Sequence, residues 1–546
     1  MLHRRAPLSF PATVGWLLVC LIALALAATI ASAQTPAPAQ KVQASPMPAV
    51  GMGFEEARHL LSRTSFGARP EDIETFARLS RVDAVDRLLA ETRTRAQYPA
   101  PPWAAIYERP FRPGMTPEQR KEANRRELVE RGLELRTWWV AEMLSTPTPL
   151  TEKMTLFWHN HFVSSQQKVR TAQLMYAQNV LLRQYALGNF GALLRAVSKD
   201  PAMLIYLDGA QNRKGAPNEN FAREVMELFT LGEGHYTEAD IKEVARAFTG
   251  WSIDPDRGEF RFRRALHDDG EKVIFGQRGR FNGDDVITLL LRQPATAEFV
   301  VGKLWREFIS AQPDPAGVRQ LAAVWRSSNY EIKPLLRAML LSDAFWSPTN
   351  RASLVKSPVE LVIGSLRQFG FSVEDPAPFA IALRQLGQDL FAPPNVKGWP
   401  GGESWLNTST LLARKGFLNR LFRADEMQSA MSAGNSAPTG NADTTAQPAT
   451  TVIDRAMLGD GRARRQAQLA LRGGTGKLPP FGVSNQLRGQ YFFSADQWFA
   501  QLPRDMDDAR IASALFAGPP LQVSPPLPHT LAGLRSAALD PMYELK

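Results

Sequence analysis

Glu224 and Glu227 stand three residues apart within PNENFAREVMELFTLGEGHYTEADIKEVARAFTGW, residues 217–251, and are the carboxylates best placed for chemistry. On a helical wheel Phe221, Val225, Leu228 and Phe229 form the core face, and Glu224 falls inside it. A carboxylate in such a place must be paired, ligate a metal or carry a raised pKa; the last two are what a catalytic acid or a metal centre requires. Asp208 ends the apolar run 203–207 just upstream, and a polar loop with Asn218 and Asn220 follows. Asp208, Glu224 and Glu227 are therefore the candidate catalytic groups, able to offer hard oxygen ligands to a divalent metal such as calcium or magnesium. Asn218 and Asn220 are candidate binding residues. The competing account is structural, an ion pair from Glu224 to Arg223 or Arg246.

Three other clusters invite the same question. His159 and His161 form an H-x-H that would chelate a metal from a strand, but Leu150, Met154, Phe157, Trp158 and Phe162 mark the stretch as helical. Positions two apart on a helix diverge by about 200°, which turns His161 to the core and leaves His159 on the flank. His267-Asp268-Asp269-Gly270 is placed at a hairpin tip, where a ligand could be displayed on a rigid support, although Asp-Asp-Gly is also plain turn chemistry. His161, His267 and Asp268 are the candidate metal ligands. Trp399 and Trp405 lie in a Pro/Gly-rich loop; exposed, they would stack on sugar rings, and buried, they would plug a corner of the core.

The elements that must position these residues are mostly helical. Apolar spacings of three and four predict helices near 150–163, 171–187, 190–198, 219–231, 238–248, 284–291, 295–310, 315–327, 332–342 and 357–369. Thr116-Pro117-Glu118-Gln119 carries an N-cap, a first-position proline and a capping-box partner, and opens a long charged helix. One small β-hairpin is expected near 259–276, where Phe260 and Phe262 alternate with arginines and Val273-Ile274-Phe275 makes the return strand. The fold class is thus a large, mostly α, multi-helix globular fold.

Residues 1–33 read as a signal peptide, with Arg4 and Arg5, an apolar run 14–30 and the small-x-small site Ala31-Ser32-Ala33. Sec export is favoured; Arg4-Arg5 keeps the twin-arginine route as the alternative. A disordered linker follows at 34–53, a main body at 54–426, a disordered low-complexity insertion at 427–451, and at 452–546 a C-terminal segment packing onto the body. The expected location is the periplasm or the exterior, with no transmembrane span after leader cleavage. Cys20 is the only cysteine, so the mature chain has no disulfides, thiolate metal sites or cysteine nucleophile. The formal net charge of +10 is dispersed. Export makes nucleic acid an unsuitable partner, while an envelope glycan suits both the compartment and the tryptophans.

HLLSRTSFG at 59–67, FWHNHF at 157–162, the 217–251 segment, HDDGEKVIFG at 267–276, KSPVEL at 356–361, PPNVKGWPGG at 393–402 and the ending LDPMYELK together resemble the bacterial DUF1800 family over about 54–546. The resemblance implies an exported, largely helical protein, often with a co-encoded exported partner of the DUF1501 type, and it implies no reaction. The chain has Gln293-Pro294 where the family commonly shows His-Pro, so a site built on that histidine is not expected here. There is no Walker A loop, G-x-S-x-G elbow, H-E-x-x-H helix or dinucleotide fingerprint, and the S-x-x-K at 353–356 lacks its usual companion motifs. The leading reading is a binding or assembly role in the envelope. Against it stand a metal-assisted or acid/base hydrolase acting on a glycan or ester through Asp208, Glu224 and Glu227, and a glycan-binding protein centred on Trp399 and Trp405.

Overall fold

Helix-start chemistry written in the sequence lays out the main elements. The computed structural model describes residues 51–434 and 491–546, apart from 505 and 525. The expected leader, nearly all of the 34–53 linker, and the 435–490 part of the expected insertion and C-terminal segment lie outside the described residues. Helix α1, Phe54–Thr64, opens the body. Thr116 and Gln119 form the expected capping box at the start of α2, Pro117–Asn124. A single π turn, Arg125–Glu130, carries α2 into α3, Arg131–Ser145. Such a turn re-aims side chains within a continuous helix. Here it buries Glu127, which accepts from Arg131 at 2.8 Å and from the Ala172 amide at 3.1 Å.

Helix α4, Pro149–His161, occupies the centre, with α5, Ala172–Tyr185, against it. Ten of the 13 residues of α4 are buried, so it has no solvent face. Its Glu152 is held from two sides: Arg183 of α5 donates to it at 2.6 and 2.9 Å, and the Trp139 indole at 2.8 Å. Helices α6, Glu219–Glu227, and α7, Glu238–Ala247, pack on one another, and Thr237 with Asp240 caps α7. Helices α8, Pro294–Phe308, and α9, Pro358–Gln368, complete the surroundings of the site. Ser357 and Glu360 form the capping box of α9. Its Gly364 meets the turn after α1 backbone to backbone; a Cβ there would sit 1.9 Å from the Phe66 carbonyl oxygen.

The β structure differs from the single hairpin expected. β1, Trp251–Asp254, pairs antiparallel with β2, Glu259–Phe262, and β3, Lys272–Ile274, pairs with β4, Gln277–Gly279. Two turn signals explain this. Asp254 accepts from the amides of Asp256 and Arg257, closing the first loop. Phe275 and Gly276 both have positive φ, 50° and 74°, as a two-residue hairpin turn demands. Each strand closes on its neighbour in sequence, and the 267–270 segment joins two hairpins instead of capping one.

Beyond α9 the chain returns through α10, Thr408–Gly434, which continues as helix into the stretch expected to be disordered from 427. β5, Ser372–Val373, pairs with β6, Tyr491–Phe492, where the described chain resumes. Phe371 stacks on Phe493 at 4.4 Å, and Tyr543 is buried with its hydroxyl near Ser365 and Gln368. Each such ring contributes about 1.5–3 kcal/mol through burial, enough to hold the 491–546 segment on α9. Helix α11, Leu531–Leu539, lies against α10, and no helix among the described residues is long and apolar enough to cross a membrane.

Candidate functional site

Asp208, Glu224 and Glu227 have separate surroundings. Asp208 has φ 58° and takes an ion pair from Lys168 at 2.8 Å. Asn220 donates to the Leu207 carbonyl at 3.2 Å and to Asp208 at 3.4 Å, while the Asn218 side chain caps α6 by accepting from the Asn220 amide at 2.9 Å. These three side chains build the turn that launches α6. Glu227 accepts from the Tyr236 hydroxyl at 2.8 Å. Glu224 is half-buried, and burial with the neighbouring Glu227 charge pushes its carboxyl up, against the pull of Lys397 and Arg223. Neither arginine named as its sealing partner fills that role: Arg223 pairs with Glu238 at 2.8 Å, and Arg246 with Asp268 and Glu243 at 2.9 and 2.8 Å.

The histidines go elsewhere. His159, expected on a flank, is 1 % exposed, because α4 is surrounded on all sides. Its Nε2 accepts from the Phe391 amide at 3.2 Å, and burial, with the charge of Arg136 behind it, pushes the imidazole down to about 3. His161 is buried as expected; Nε2 donates to the Phe229 carbonyl at 3.1 Å and Nδ1 accepts from Lys303 at 3.2 Å. His267 is buried by its donation to the Thr249 carbonyl at 2.8 Å, and Asp268 is held by Arg246. Both His161 nitrogens are engaged within the protein, and among the described residues no three His, Cys, Asp or Glu side chains converge as a metal site. His161, His267 and Asp268 are thus not brought together.

Trp399 and Trp405 are 5 % and 7 % exposed, so they form no open stacking platform. Their loop is clamped on α4 instead: Asn160 accepts from the Trp399 amide at 2.7 Å and donates to its carbonyl at 3.2 Å. Gly398 permits this approach, since at φ 82° a Cβ would lie 2.7 Å from the Asn160 carbonyl oxygen. Both tryptophans face inward on a cavity of about 440 Å³, within the range of small-ligand sites.

The cavity gathers residues from the whole chain. Helix α4 contributes Lys153, Leu156, Phe157, Asn160 and His161 from one side; α8 supplies Lys303, Arg306 and Glu307. The start of α9 adds Ser357 and Glu360, the 397–405 loop adds Lys397 and the two tryptophans, and Phe66, Gln388 and Lys546 close it. Glu360 receives both Lys153 and Lys546, and Glu307 lies 3.4 and 3.5 Å from those same ammonium groups. Burial alone would raise the Glu360 carboxyl, but the two lysines outweigh it and hold it far below the usual carboxylate range. Lys397 leaves the rim for Glu233 at 3.6 Å and is the cavity's link to the α6 carboxylates, which are not among its lining residues.

Of the residues predicted from sequence, His161, Trp399 and Trp405 therefore meet in one concavity, and Asp208, Glu224, Glu227, Asn218, Asn220, His267 and Asp268 do not join them. Sequence reading missed Lys153, Lys303, Glu307, Glu360 and Lys546 as site residues. One usable signal existed: Lys303, Arg306 and Glu307 share a face of a helix whose other residues, apart from Thr296 and Glu298, are apolar.

Among proteins already known, no curated protein and no solved structure matches the chain. The profile of the family described as a protein of unknown function, DUF1800, matches residues 59–481. With more than half of its length matched, the chain belongs to the DUF1800 family.

Proposed function

We propose that this protein is exported to the cell envelope and binds a saccharide of the envelope in the cavity between α4, α8 and the 397–405 loop. The observation that carries the reading is the wall of that cavity. Trp399 and Trp405 are too buried to stack on a sugar from open solvent, so the contact is confined to the cavity. Half-buried Phe157 and the narrow edges of Phe66, Trp399 and Trp405 that line it offer aromatic surface, and Asn160, Ser357 and Gln388 offer amide and hydroxyl groups between them. A sugar has apolar C–H faces and polar edges, and such a lining matches both. In calorimetric titrations with chitobiose, a muramic-acid disaccharide and N-acetylglucosamine 6-phosphate, at least one is expected to bind, and Trp405→Ala to weaken it tenfold or more. Absence of binding by every saccharide, or equal affinity in the variant, sinks this reading.

A second reading, assembly with a co-encoded exported partner of the DUF1501 type, is favoured by a different surface. Leu411, Leu412 and Leu521 are 41 %, 75 % and 68 % exposed and line an apolar groove beside α10 and α11. Exposed apolar surface of that kind is a recurrent mark of protein contact. Protein recovered from the periplasm is expected to begin at Gln34 and to carry the partner, with Leu412→Glu releasing it. A retained leader removes the export proposal, and a partner unaffected by the substitution removes this groove.

A further inference from the structure

The charges around the cavity do not balance, and the excess sits at one end. Lys153 and Lys546 share Glu360, with Glu307 beside them, so two cations meet two anions at the α9 end. Lys303 on α8 has a different environment. Its ammonium donates to His161 Nδ1 at 3.2 Å and to the Leu228 carbonyl at 3.0 Å, both neutral, and lies 4.7 Å from the centre of the Phe299 ring. No carboxylate among the described residues forms an ion pair with it, and an ammonium has three donors, of which two are thereby used. Arg306, one turn along the same face, also lines the cavity and spends one nitrogen on the Gly302 carbonyl. Lys303 is partly buried and Arg306 exposed at the mouth. A partly buried cation without a counter-charge carries a desolvation cost, and a ligand that brings an oxyanion offsets it as it binds.

We propose that the cavity's ligand is anionic, and that Lys303, with Arg306 at its side, forms the subsite for a carboxylate or phosphate carried on the sugar. This rests on the saccharide-binding reading for the rest of the cavity. The anion replaces no protein partner, so the subsite is preorganised: α8 fixes the stem of Lys303, and His161 and Leu228 fix its head.

The pH behaviour follows from the same geometry. Burial, with the Arg306 charge in support, pushes the Lys303 ammonium down to about 8. The titratable and charged groups around it are His161 on α4, Arg306 and Glu307 on α8, and, on the loop, Lys397 with its Glu233 partner. Burial and Lys303 itself hold His161 well below its usual range, so it does not titrate near 8. An oxyanion binds the protonated lysine. Affinity is therefore full between the ligand's own pKa, about 4 for a carboxylate or about 6 for the second ionisation of a phosphate, and about pH 8, and falls by up to tenfold per pH unit above that.

The test is calorimetry with chitobiose as the neutral sugar, a muramic-acid disaccharide for carboxylate, N-acetylglucosamine 6-phosphate for phosphate, and inorganic phosphate alone. The acidic saccharides are expected to bind at least tenfold more tightly than chitobiose at pH 7. Lys303→Met should erase that preference, so that within this variant the acidic saccharides bind no more tightly than chitobiose, and Lys303→Arg should keep the preference and remove its decline above pH 8. Which acidic sugar binds more tightly assigns the subsite to carboxylate or phosphate. Equal binding of neutral and acidic sugars, or a preference that survives Lys303→Met, overturns the anion subsite and leaves the saccharide reading in place. Phosphate bound through Lys303 with no saccharide bound keeps the subsite and sinks the saccharide reading. Silence from all four probes overturns both. If Lys303→Met does not fold, Lys303→Gln replaces it.

Discussion

Replacing Glu360 by glutamine is expected to cost about 3–5 kcal/mol of stability in urea denaturation at pH 7. Glu360 does two jobs on opposite sides of its carboxylate. Oε2 accepts from the Ser357 amide at 2.8 Å and completes the cap of α9, while Oε1 receives Lys153 and Lys546. Glutamine keeps the first, since it serves equally at the third position of a capping box. It cannot keep the second. Lys153 and Lys546 are 3 % and 5 % exposed, and without Glu360 two buried ammonium groups are left to Glu307, which is a third exposed and more distant.

The pairing predicts its own rescue. Lys153→Met in the Glu360→Gln background removes one of the two stranded charges, so the double variant should be more stable than the sum of the single changes by at least 1 kcal/mol. A loss below about 1 kcal/mol in Glu360→Gln, or strict additivity in the double variant, means that the cluster is solvated and the account is wrong. The pH dependence has a definite sign. Glu360 is depressed in the folded state, so its contribution is complete above the ordinary carboxylate pKa of about 4 and is lost only as pH falls below that value. Because this cluster forms one end of the cavity, loss of Glu360 also adds uncompensated positive charge to the site, which ties the stability of the fold to the electrostatics that a ligand meets.

How much of this was legible in the sequence differs from element to element, for physical reasons. Helix starts were legible because caps are local: Thr116 with Gln119 and Thr237 with Asp240 are three residues apart, and both boxes form. The pairing of strands was not, since alternation marks a strand without naming its partner, and the turn at Phe275-Gly276 gave no strong turn signal beyond one glycine. His159 was misplaced because a wheel assigns an inside and an outside, and α4 has only an inside. The cavity was the least legible feature. Lys153, Lys303, Glu360 and Lys546 are separated by tens to hundreds of residues, and each alone looks like an ordinary surface charge. Only the packing of α4, α8 and α9 brings them together, and that packing is specified by the apolar residues between them. The carboxylates of α6 were conspicuous for the opposite reason, being close in sequence. The structure gives Asp208 a lysine and Glu227 a tyrosine, and it leaves Glu224 half-buried beside Glu227.

Stability is expected to decline between pH 4 and 7 through a residue that no motif marked. Asp200 is 3 % exposed and caps the short helix Pro201–Tyr206, accepting from the Met203 amide at 2.9 Å and from Gln178 Nε2 at 2.7 Å. No cation among the described residues forms an ion pair with it, its neighbour Lys199 being paired with Asp284, and burial outweighs these hydrogen bonds and pushes the carboxyl up to about 7. An unfolded aspartate titrates near 3.9. Between those values the folded state holds a proton that the unfolded state has released, so Asp200 opposes folding progressively as pH rises, by up to about 4 kcal/mol once pH exceeds 7. Asparagine caps a helix as well as aspartate does and carries no charge. Rotation of the Gln178 amide would turn its unpartnered Oε1 toward the new side-chain amide. Asp200→Asn should therefore match the parent near pH 4 and exceed it at pH 8, with the stability difference between variant and parent growing by about 3 kcal/mol from pH 5 to pH 8 in paired urea titrations. A difference that stays flat over that range means Asp200 is ionised in the fold at pH 5, and that three hydrogen-bond donors or fewer suffice to hold a buried carboxylate charged without a cation. The two experiments read opposite regimes of one rule: Glu360 is buried with its counter-charges and supports folding once ionised, whereas Asp200 is buried without one and supports it only while protonated.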